Sequence, residues 1–322
     1  MMFKTRSIQG TCLEETNPTT IDIANIMAKK KTISKQFKYL FTNFKLYFTL
    51  YIGVLSGLGL ILSIIACIID FAGLFKDLEI GIKILIVIGI YLVLALLTMP
   101  LFFTKKTVTY YKNGEFEISA EYGDIDKISS KRGDKKIIVI MVNTTFDMIV
   151  EGPGPKALVA GNTNHGRFAD RVCREKKITY EQLNDEVQNL LSNNKNLSYK
   201  LIDRERANKK EYPLGTTIIY DLGKISYLLF AFSRFDYNNN AHPVVNHLPL
   251  DKIMDEINKY SQNLDVYIPL IGTGQSDYKL SNSESFCQMK HYFLSHTDRV
   301  EAKYRILVYK GIKDEVSIFK NC

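Results

Sequence analysis

The residues most able to do chemistry in this chain are small polar residues and glycines that directly follow apolar runs of strand length. The run Val266 to Ile271 continues into Gly272, Thr273, Gly274, Gln275 and Ser276. Glycines at such a position let backbone N–H groups approach an anion closely, as phosphate-binding loops require. Because ligands of open α/β sheets bind at the carboxyl ends of the strands, this segment is a candidate phosphate loop. A plain tight turn would also explain the Gly-Thr-Gly sequence.

A second candidate loop follows the apolar run from Ile137 to Val142, which we expect to be a strand buried on both faces. The loop is too long and too rich in glycine and asparagine to be a mere connection. Its polar parts are Asn143 to Asp147, Gly152 to Pro155, and a segment from Asn162 that contains His165, Gly166, Arg167 and Phe168. His165 either caps the helix that starts there or contacts a ligand. Asp147 either pairs with an arginine or holds a polar ligand group.

Upstream of both loops, Asp124 stands in the tripeptide Gly123-Asp124-Ile125. Its carboxylate could accept a hydrogen bond from the exocyclic amine of a base, or Asp124 could be an ordinary turn residue. Arg167 and Arg171 lie one helical turn apart and form either a solvated face or a phosphate contact. His242 and His247 have no cysteine or acidic partner at metal-ligand spacing, so the sequence indicates no metal site.

The elements that must position these loops alternate between strands and amphipathic helices after residue 106. Asn113-Gly114 between two short apolar segments predicts a β-hairpin, and Thr179-x-x-Gln182 predicts the start of a helix. Further strands are expected at 216–220, 226–232, 266–271 and 304–309, and further helices near Leu250 and after Ser281. This alternation predicts one α/β domain over residues 107–322.

Two uncharged runs before that domain predict a transmembrane hairpin over residues 46–104. Leu46 to Ile69 has 24 residues and Ile84 to Thr104 has 21, and about 20 apolar residues in a helix cross a bilayer. Lysines flank the hairpin on its outer sides, whereas the connection Asp70 to Lys83 has three acids and two lysines. Because Lys and Arg beside spans stay cytoplasmic, we expect a multi-pass protein of the cell (cytoplasmic, inner) membrane with both termini in the cytoplasm.

The formal charge of +8 is concentrated beside these spans, since residues 1–106 carry net +6 and residues 107–322 net +2. This distribution favours contact with anionic lipid heads and argues against nucleic-acid binding by the folded domain. Within the N-terminal segment 1–45, Ile21 to Phe44 has the pattern of a basic amphipathic helix that lies on the inner leaflet or binds a partner. The five cysteines are widely spaced without a C-x-x-C motif, which suggests a reducing compartment and no structural zinc.

The three candidate segments, in this order, resemble the macro domain, an ADP-ribose-binding α/β/α fold. In that family a Gly-Asp-Ile contacts adenine through its Asp, a strand ending in Val-Asn leads into the first diphosphate loop, and a later strand ends in a glycine-rich second loop. The matching positions here, within residues 115–320, are Asp124, Ile125, Asn143 and 272–276. The resemblance implies a mixed sheet flanked by helices and a ligand derived from ADP-ribose, with no further cofactor.

The first loop departs from the Asn-Ala-Ala-Asn and triple-glycine pattern of the family, because it reads Asn143-Thr144-Thr145-Phe146-Asp147 and later His165-Gly166-Arg167-Phe168. The usual catalytic polar residues cannot be carried across, so we do not expect an enzyme, although the loop is still compatible with phosphate binding. The candidate ligand-binding residues are Asp124, Ile125, Asn143, His165, Gly166, Phe168, Gly272, Thr273, Gly274, Gln275 and Ser276, with no catalytic residue and no metal ligand among them.

A macro-like domain behind two membrane spans is similar to the effectors of Thoeris-type antiphage defence. That resemblance implies a partner TIR-domain enzyme that makes an ADP-ribose-derived signal from NAD, in this form a histidine conjugate, and an effector that acts on the lipid bilayer. Gly53 and Gly57 lie four apart in the first span and allow close helix approach, so we also expect a homo-oligomer. A membrane-tethered ADP-ribosyl hydrolase and a non-catalytic membrane scaffold are the alternatives.

Overall fold

The computed structural model describes residues 106–129, 134–150, 159–203, 208–235, 241–243, 247–261, 263–273 and 278–319, with residues 48, 49, 51–53, 56, 57, 82 and 93 nearer the N-terminus. Within that part of the chain, none of the helices combines the length and the apolar character needed to cross a membrane. The predicted segment 1–45 and nearly all of the predicted hairpin lie outside the described residues, so both stay predictions.

In its described residues, the domain has ten strands and four α-helices. The strands are β1 (Thr107–Asn113), β2 (Phe116–Gly123), β3 (Lys136–Asn143), β4 (Lys200–Leu201), β5 (Lys210–Glu211), β6 (Thr217–Leu222), β7 (Ile225–Phe235), β8 (Ala241–Pro243), β9 (Asp265–Pro269) and β10 (Lys303–Tyr309). The helices are α1 (Asn164–Lys176), α2 (Tyr180–Asn193), α3 (Leu250–Ser261) and α4 (Asn282–Ser295).

Eight of the strands form one mixed sheet in the order β1-β2-β10-β9-β3-β7-β6, with β8 paired to β7. The five strands from β2 to β7 in that order run parallel, and β1, β6 and β8 are antiparallel to their neighbours. The carboxyl ends of five adjacent strands therefore meet at one edge of the sheet. In α/β folds this edge is where ligands bind.

Strand β3 shows how the sheet divides the core into two layers. Ile138 and Ile140 pack with the apolar sides of α1 and α2, whereas Ile137 and Val139 pack with those of α3 and α4. All four side chains are at most 2% exposed, because a strand in the middle of a sheet with helices on both faces has no solvated side. The predicted mixed sheet flanked by helices is confirmed.

The turn motif and the two helix-capping motifs form the local structures that the sequence predicts. Gly114 has a positive φ of 59° in the turn between β1 and β2, as the Asn-Gly signal requires. Thr179 and Gln182 form both hydrogen bonds of a capping box at the start of α2, and Ser281 and Glu284 do the same for α4. Two such reciprocal caps fix where these helices begin.

The described cysteines differ in state. Cys173 is a free thiol, and burial raises its pKa to about 11, so its reactive thiolate form is disfavoured at neutral pH. Cys287 is disulfide-bonded, which differs from the reducing environment that the cysteine spacing suggests.

Candidate ligand-binding site

A cavity of about 620 Å³ opens at the carboxyl ends of the parallel strands. Residues at the ends of β2, β10, β9, β3 and β7 line it, together with the first residues of α1. Its volume is in the range of small-molecule sites. Of the predicted ligand-binding residues, the cavity brings together Asp124, Ile125, Asn143, His165, Gly272 and Thr273.

The other predicted residues are not in the described lining. Gly274, Gln275 and Ser276 lie outside the described residues. Gly166 and Phe168 are described but are not among the residues that line the cavity.

At the β2 end of the cavity, Asp124 is held by two donors. The backbone N–H of Asp126 donates to Asp124 Oδ1 at 3.3 Å, which caps the short 3₁₀ helix Ile125–Lys127. Arg167 Nη1 donates to the same oxygen at 3.2 Å, and its guanidinium lies 5.1 Å from the ring centre of Tyr309. Burial and the neighbouring Asp124 carboxylate raise the pKa of Asp126. The sequence analysis did not assign Tyr309 to the site, because its only signal is an aromatic ring at the end of a predicted strand.

Arg171 has a structural function that the sequence did not indicate. Its Nη1 donates to the backbone carbonyls of Ile125 at 3.3 Å and Ile128 at 3.1 Å, and its Nε donates to Glu175 Oε1 at 2.8 Å. The side chain is buried. The prediction of a solvated face or a phosphate contact is therefore wrong for Arg171, which holds the turn that presents Asp124.

At the end of β3, Asn143 and Asp147 form two hydrogen bonds with each other. Asn143 Nδ2 donates to Asp147 Oδ2, and the backbone N–H of Asp147 donates to Asn143 Oδ1, both at 2.9 Å. Thr145 Oγ1 donates to Asp147 Oδ2 at 2.5 Å, and the backbone N–H of Asn208 donates to Oδ1 at 2.8 Å. Both residues are buried. Among the described contacts, the Asp147 carboxylate accepts from amide N–H groups and a hydroxyl of the protein itself.

The turn closed by this pair contains Phe146 in the left-handed region, with φ of 51°. A bulky residue there costs of order 1–3 kcal/mol and persists only where its surroundings hold it. Its ring is fully buried against Tyr212, and its carbonyl accepts from Gln188 Nε2 at 3.3 Å and Asn208 Nδ2 at 3.1 Å. Phe146 occupies the place of the second Asn in the family pattern, and it fills the core instead of facing a ligand.

Helix α1 starts beside the cavity and is positioned by close backbone packing. Thr163 Oγ1 accepts from the N–H of Gly166 at 3.0 Å, which caps the helix. A Cβ on Gly166 would lie 2.3 Å from the carbonyl oxygen of Ala160 and 2.7 Å from the Cα of Gly161. Only glycine allows this approach, so Gly166 is needed to seat α1 against Ala160 and Gly161.

Phe168 belongs to the hydrophobic core. It is 1% exposed, and its ring centre lies 4.7 Å from that of Tyr227 and 5.7 Å from that of Tyr220. Together with Val172, one turn later, it forms the apolar side of α1. This helical spacing is the signal that could have placed Phe168 in the core.

His165 lines the cavity although its side chain is almost entirely buried, with 8% exposure. Burial lowers its pKa to about 4, against the opposing effect of the Asp147 backbone. Its Nε2 has no hydrogen-bond partner among the described residues. The imidazole is therefore neutral at physiological pH and carries an unused polar atom.

The second loop starts with a glycine whose φ is positive. Gly272 has φ of 80°, and a Cβ there would lie 2.9 Å from Leu248 Cδ2 and 3.2 Å from Tyr278 Cβ. Glycine is needed for the backbone conformation and for the packing, whether or not a ligand is bound. Over the part of the chain that is described, no group of three His, Cys, Asp or Glu residues could hold a metal ion.

The chain is similar to known proteins over most of its length. The family model described as Thoeris protein ThsA, Macro domain matches residues 118–309. Thoeris protein ThsA from Bacillus amyloliquefaciens (strain Y2) is 26% identical over 281 residues, covering 82% of this chain and 86% of the relative. Among solved structures, a mutant of the Oceanobacillus iheyensis macrodomain has a TM-score of 0.39 at 16% identity, covering 67% of this chain and 94% of that chain. Because the family model spans more than half of the chain, from β2 to the end of β10, the protein belongs to the Thoeris ThsA macro-domain family.

Proposed function

We propose that this protein is an antiphage effector whose macro domain binds an ADP-ribose-derived signal in the cavity at the strand ends. The observation that carries the proposal is the arrangement of Asp124, the start of α1 and Gly272 around one cavity. Asp124 offers an acceptor for a base amine, and the other two offer backbone N–H groups for a diphosphate.

The extent of the cavity supports an elongated ligand. Asp124 follows β2, and Ser233 lies near the end of β7, and both line the cavity. Four strand spacings separate these strands in the sheet, which is roughly 19 Å at about 4.8 Å per spacing. A base at one end and a sugar at the other, joined by a diphosphate, match this length better than a single nucleoside does.

The charges of the lining support anion binding by the backbone. Among the described lining residues, Arg167 is the only cation and Asp124 the only anion, and they pair with each other. A diphosphate in the cavity would therefore depend mainly on helix and loop N–H dipoles. Such binding is consistent with a lining that contains Gly272 and the start of α1 and, among its described residues, no lysine.

The side chains that would serve a hydrolase are engaged elsewhere or have the wrong basicity. Asp147 accepts from Asn143, Thr145 and Asn208, and His165 is a weak base because burial lowers its pKa to about 4. A general base should have a pKa near the working pH. A sensor is therefore favoured over the alternative, a membrane-tethered ADP-ribosyl hydrolase.

The proposal extends to the N-terminal part of the chain. There the two uncharged runs 46–69 and 84–104 form a hairpin in the cell membrane, and ligand binding rearranges a homo-oligomer that makes the membrane leaky. A ligand can drive such a change only if it binds one arrangement more tightly than the other. The signal is a histidine conjugate of ADP-ribose made by a partner TIR-domain enzyme.

The test uses the full chain purified in mild detergent and incubated with ADP-ribose, with thermal unfolding and product analysis read in parallel. A raised melting temperature with unchanged ADP-ribose supports a sensor. Turnover would establish the hydrolase instead. A melting temperature that changes neither with ADP-ribose nor with its histidine conjugate would favour the third alternative, a non-catalytic membrane scaffold.

A further inference from the structure

Strand β1 follows closely after the predicted span 84–104, and it joins the sheet at the edge where the cavity opens. The backbone N–H of Tyr122 donates to the carbonyl of Lys106 at 2.7 Å, and the antiparallel ladder then pairs Thr107 with Glu121. Because β1 runs opposite to β2, its first residue lies beside the last residues of β2. The chain therefore passes from the predicted span to the carboxyl-end edge of the parallel strands.

The connection between the predicted span and the sheet is short. Thr104, the last residue of that span, precedes Lys106 by two residues, which reach about 7 Å at most. Asp124, in the cavity lining, follows Tyr122 by two residues, so it lies on the side of Lys106 from which the chain arrives. The headgroup layer on each side of a bilayer is roughly 5–7 Å thick. A domain that extends from the bilayer along β1 thus has this end of its cavity beside the headgroups.

The two ends of β1, β2 and β10 differ in their exposed charges. The end beside the cavity, which we call the span-side rim, comprises residues 106, 124–129 and 309–311. The opposite end, the far rim, comprises residues 112–116 and 300–302. The exposed charged residues of the span-side rim are Lys106, Asp126, Lys127 and Lys310, and those of the far rim are Lys112, Glu115 and Glu301. Lysines are in excess only on the span-side rim, which therefore suits an anionic lipid surface better.

Tyr309 adds an aromatic ring to the span-side rim. It pairs with Gly123 in the ladder between β10 and β2, and it is 45% exposed although its ring is large and apolar. Tyrosine is enriched where a membrane meets water, because its ring can lie at the level of the headgroups while its hydroxyl stays hydrated. Tyr309 also lines the cavity, so the rim and the cavity share this residue.

We propose that the span-side rim lies on the anionic lipid surface of the bilayer, so that the ligand cavity opens at the headgroups. This inference rests on the proposed function, because it takes the two uncharged runs as membrane spans. A ligand with two phosphate charges then enters the cavity beside lipid phosphates. The surface potential of an anionic leaflet is about −30 mV and is screened over about 8 Å at physiological salt. It lowers the local concentration of such a dianion, which makes ligand binding sensitive to the charge of the lipids.

The experiment uses the fact that the chain contains no tryptophan. Lys310→Trp and Lys127→Trp each place a fluorescent donor on the span-side rim, and Lys112→Trp is the matched control on the far rim. The full-length variants are reconstituted in vesicles with dansyl-labelled lipid heads, and energy transfer from tryptophan to dansyl is measured. Lys112 is level with Lys303 in the sheet, roughly 20 Å along β10 from Tyr309. Because energy transfer falls steeply with distance, both rim variants should show several-fold more transfer than the control.

Alkaline extraction of the vesicles separates this inference from the proposed function. If the wild-type chain is released, the uncharged runs are not spans, and the proposed membrane function fails together with the inference. If the chain stays inserted but Lys112→Trp transfers as much energy as the rim variants, the rim does not face the bilayer and only the inference is wrong.

A second measurement uses the wild-type chain and needs no substitution. Its ADP-ribose affinity should be several-fold weaker in anionic than in neutral vesicles at about 0.15 M salt, and the difference should vanish at about 1 M salt, where the screening length is about 3 Å. Equal affinities in both kinds of vesicle at the lower salt concentration would also overturn the inference. If the inserted chain binds no ADP-ribose, the ligand part of the proposed function fails, and energy transfer alone decides where the rim lies.

Discussion

Arg167 donates to Asp124 across the mouth of the cavity at 3.2 Å, and it does so while its guanidinium covers the ring of Tyr309. The carboxylate that would meet a base amine and the ring on which a base could stack are thus both in contact with one cation. The pair is partly exposed, with side chains 25% and 17% accessible. A base that enters here must share Asp124 with Arg167 or take its place on Tyr309.

The first prediction concerns the charge of Asp124. Asp124→Asn keeps an oxygen that can cap the 3₁₀ helix, but it loses the ion pair and the strong acceptor for a base amine. We expect ADP-ribose affinity to fall by about tenfold or more, because a hydrogen bond to a charged group contributes about 1.5–3 kcal/mol. Calorimetry on the folded variant measures it, and Asp126→Asn, outside the cavity lining, is the matched control. If both variants lost the same ADP-ribose affinity, the loss would come from disruption of the turn after β2 and not from a lost hydrogen bond to the base.

The second prediction concerns the buried carboxylate of Asp147. Asp147→Asn replaces an acceptor of three donors by a group that must turn an amide N–H toward some of them. Leaving such buried groups unsatisfied costs about 1–3 kcal/mol, which lowers the melting temperature by roughly 2–4 °C per kcal/mol in a domain of this size. Asp185→Asn, exposed on α2, should leave the melting temperature unchanged. A stable Asp147→Asn variant would show that the Phe146 turn does not depend on the charge.

Sequence reasoning succeeded where a pattern repeats and failed where a contact comes from a distant part of the chain. The alternation in β3 and the two capping boxes are local, so the sheet and its helices could be predicted. The hydrogen bonds from Arg171 to the carbonyls of Ile125 and Ile128 join positions more than 40 residues apart, and no motif announces them. Phe168 was assigned to the site because it belongs to a loop motif, although its spacing to Val172 indicated the core.

The third prediction follows from the neutral state of His165. Its pKa is about 4 in the folded chain and near 6.5 when unperturbed, so below pH 6.5 the unfolded chain binds a proton that the folded chain does not. Stability is therefore lost as the pH falls from 6.5 to 4, by about 3 kcal/mol from this residue. Urea unfolding at several pH values should show a shallower loss for His165→Gln than for the wild-type chain. His291→Gln is the control, and identical slopes in all three proteins would mean that His165 has the same pKa in the folded and the unfolded chain.

The fourth prediction separates backbone strain from packing at two glycines. Gly272 and Gly223 both have positive φ, at 80° and 60°, but a Cβ at Gly223 meets nothing within 4 Å, whereas one at Gly272 meets Leu248 and Tyr278. Gly223→Ala should cost about 1–2 kcal/mol from the left-handed backbone alone. Gly272→Ala should cost more, and it should destabilise the chain even without ligand. Equal melting temperatures of the two variants would show that the Leu248 side chain yields without cost.

The last prediction tests the proposed coupling between the cavity and the membrane. Gly53 and Gly57 are exposed, and a Cβ on either has no heavy atom of the described residues within 4 Å, so the described fold does not oppose a larger residue there. If neighbouring chains pack through this stripe, Gly57→Leu keeps the helices apart. We expect this variant to insert normally and still to bind ADP-ribose, yet to lose membrane leakage and ligand-dependent oligomer change together, while Gly57→Ala keeps both.

Leakage from dye-loaded vesicles and mass photometry with and without the histidine conjugate of ADP-ribose measure the two effects. Because a ligand acts only through different affinities for two arrangements, loss of the oligomer change must also weaken or strengthen apparent ligand affinity by the lost coupling. Full leakage in Gly57→Leu would exclude the glycine stripe as the coupling surface. A wild-type chain that is monomeric under both conditions would exclude the oligomer itself.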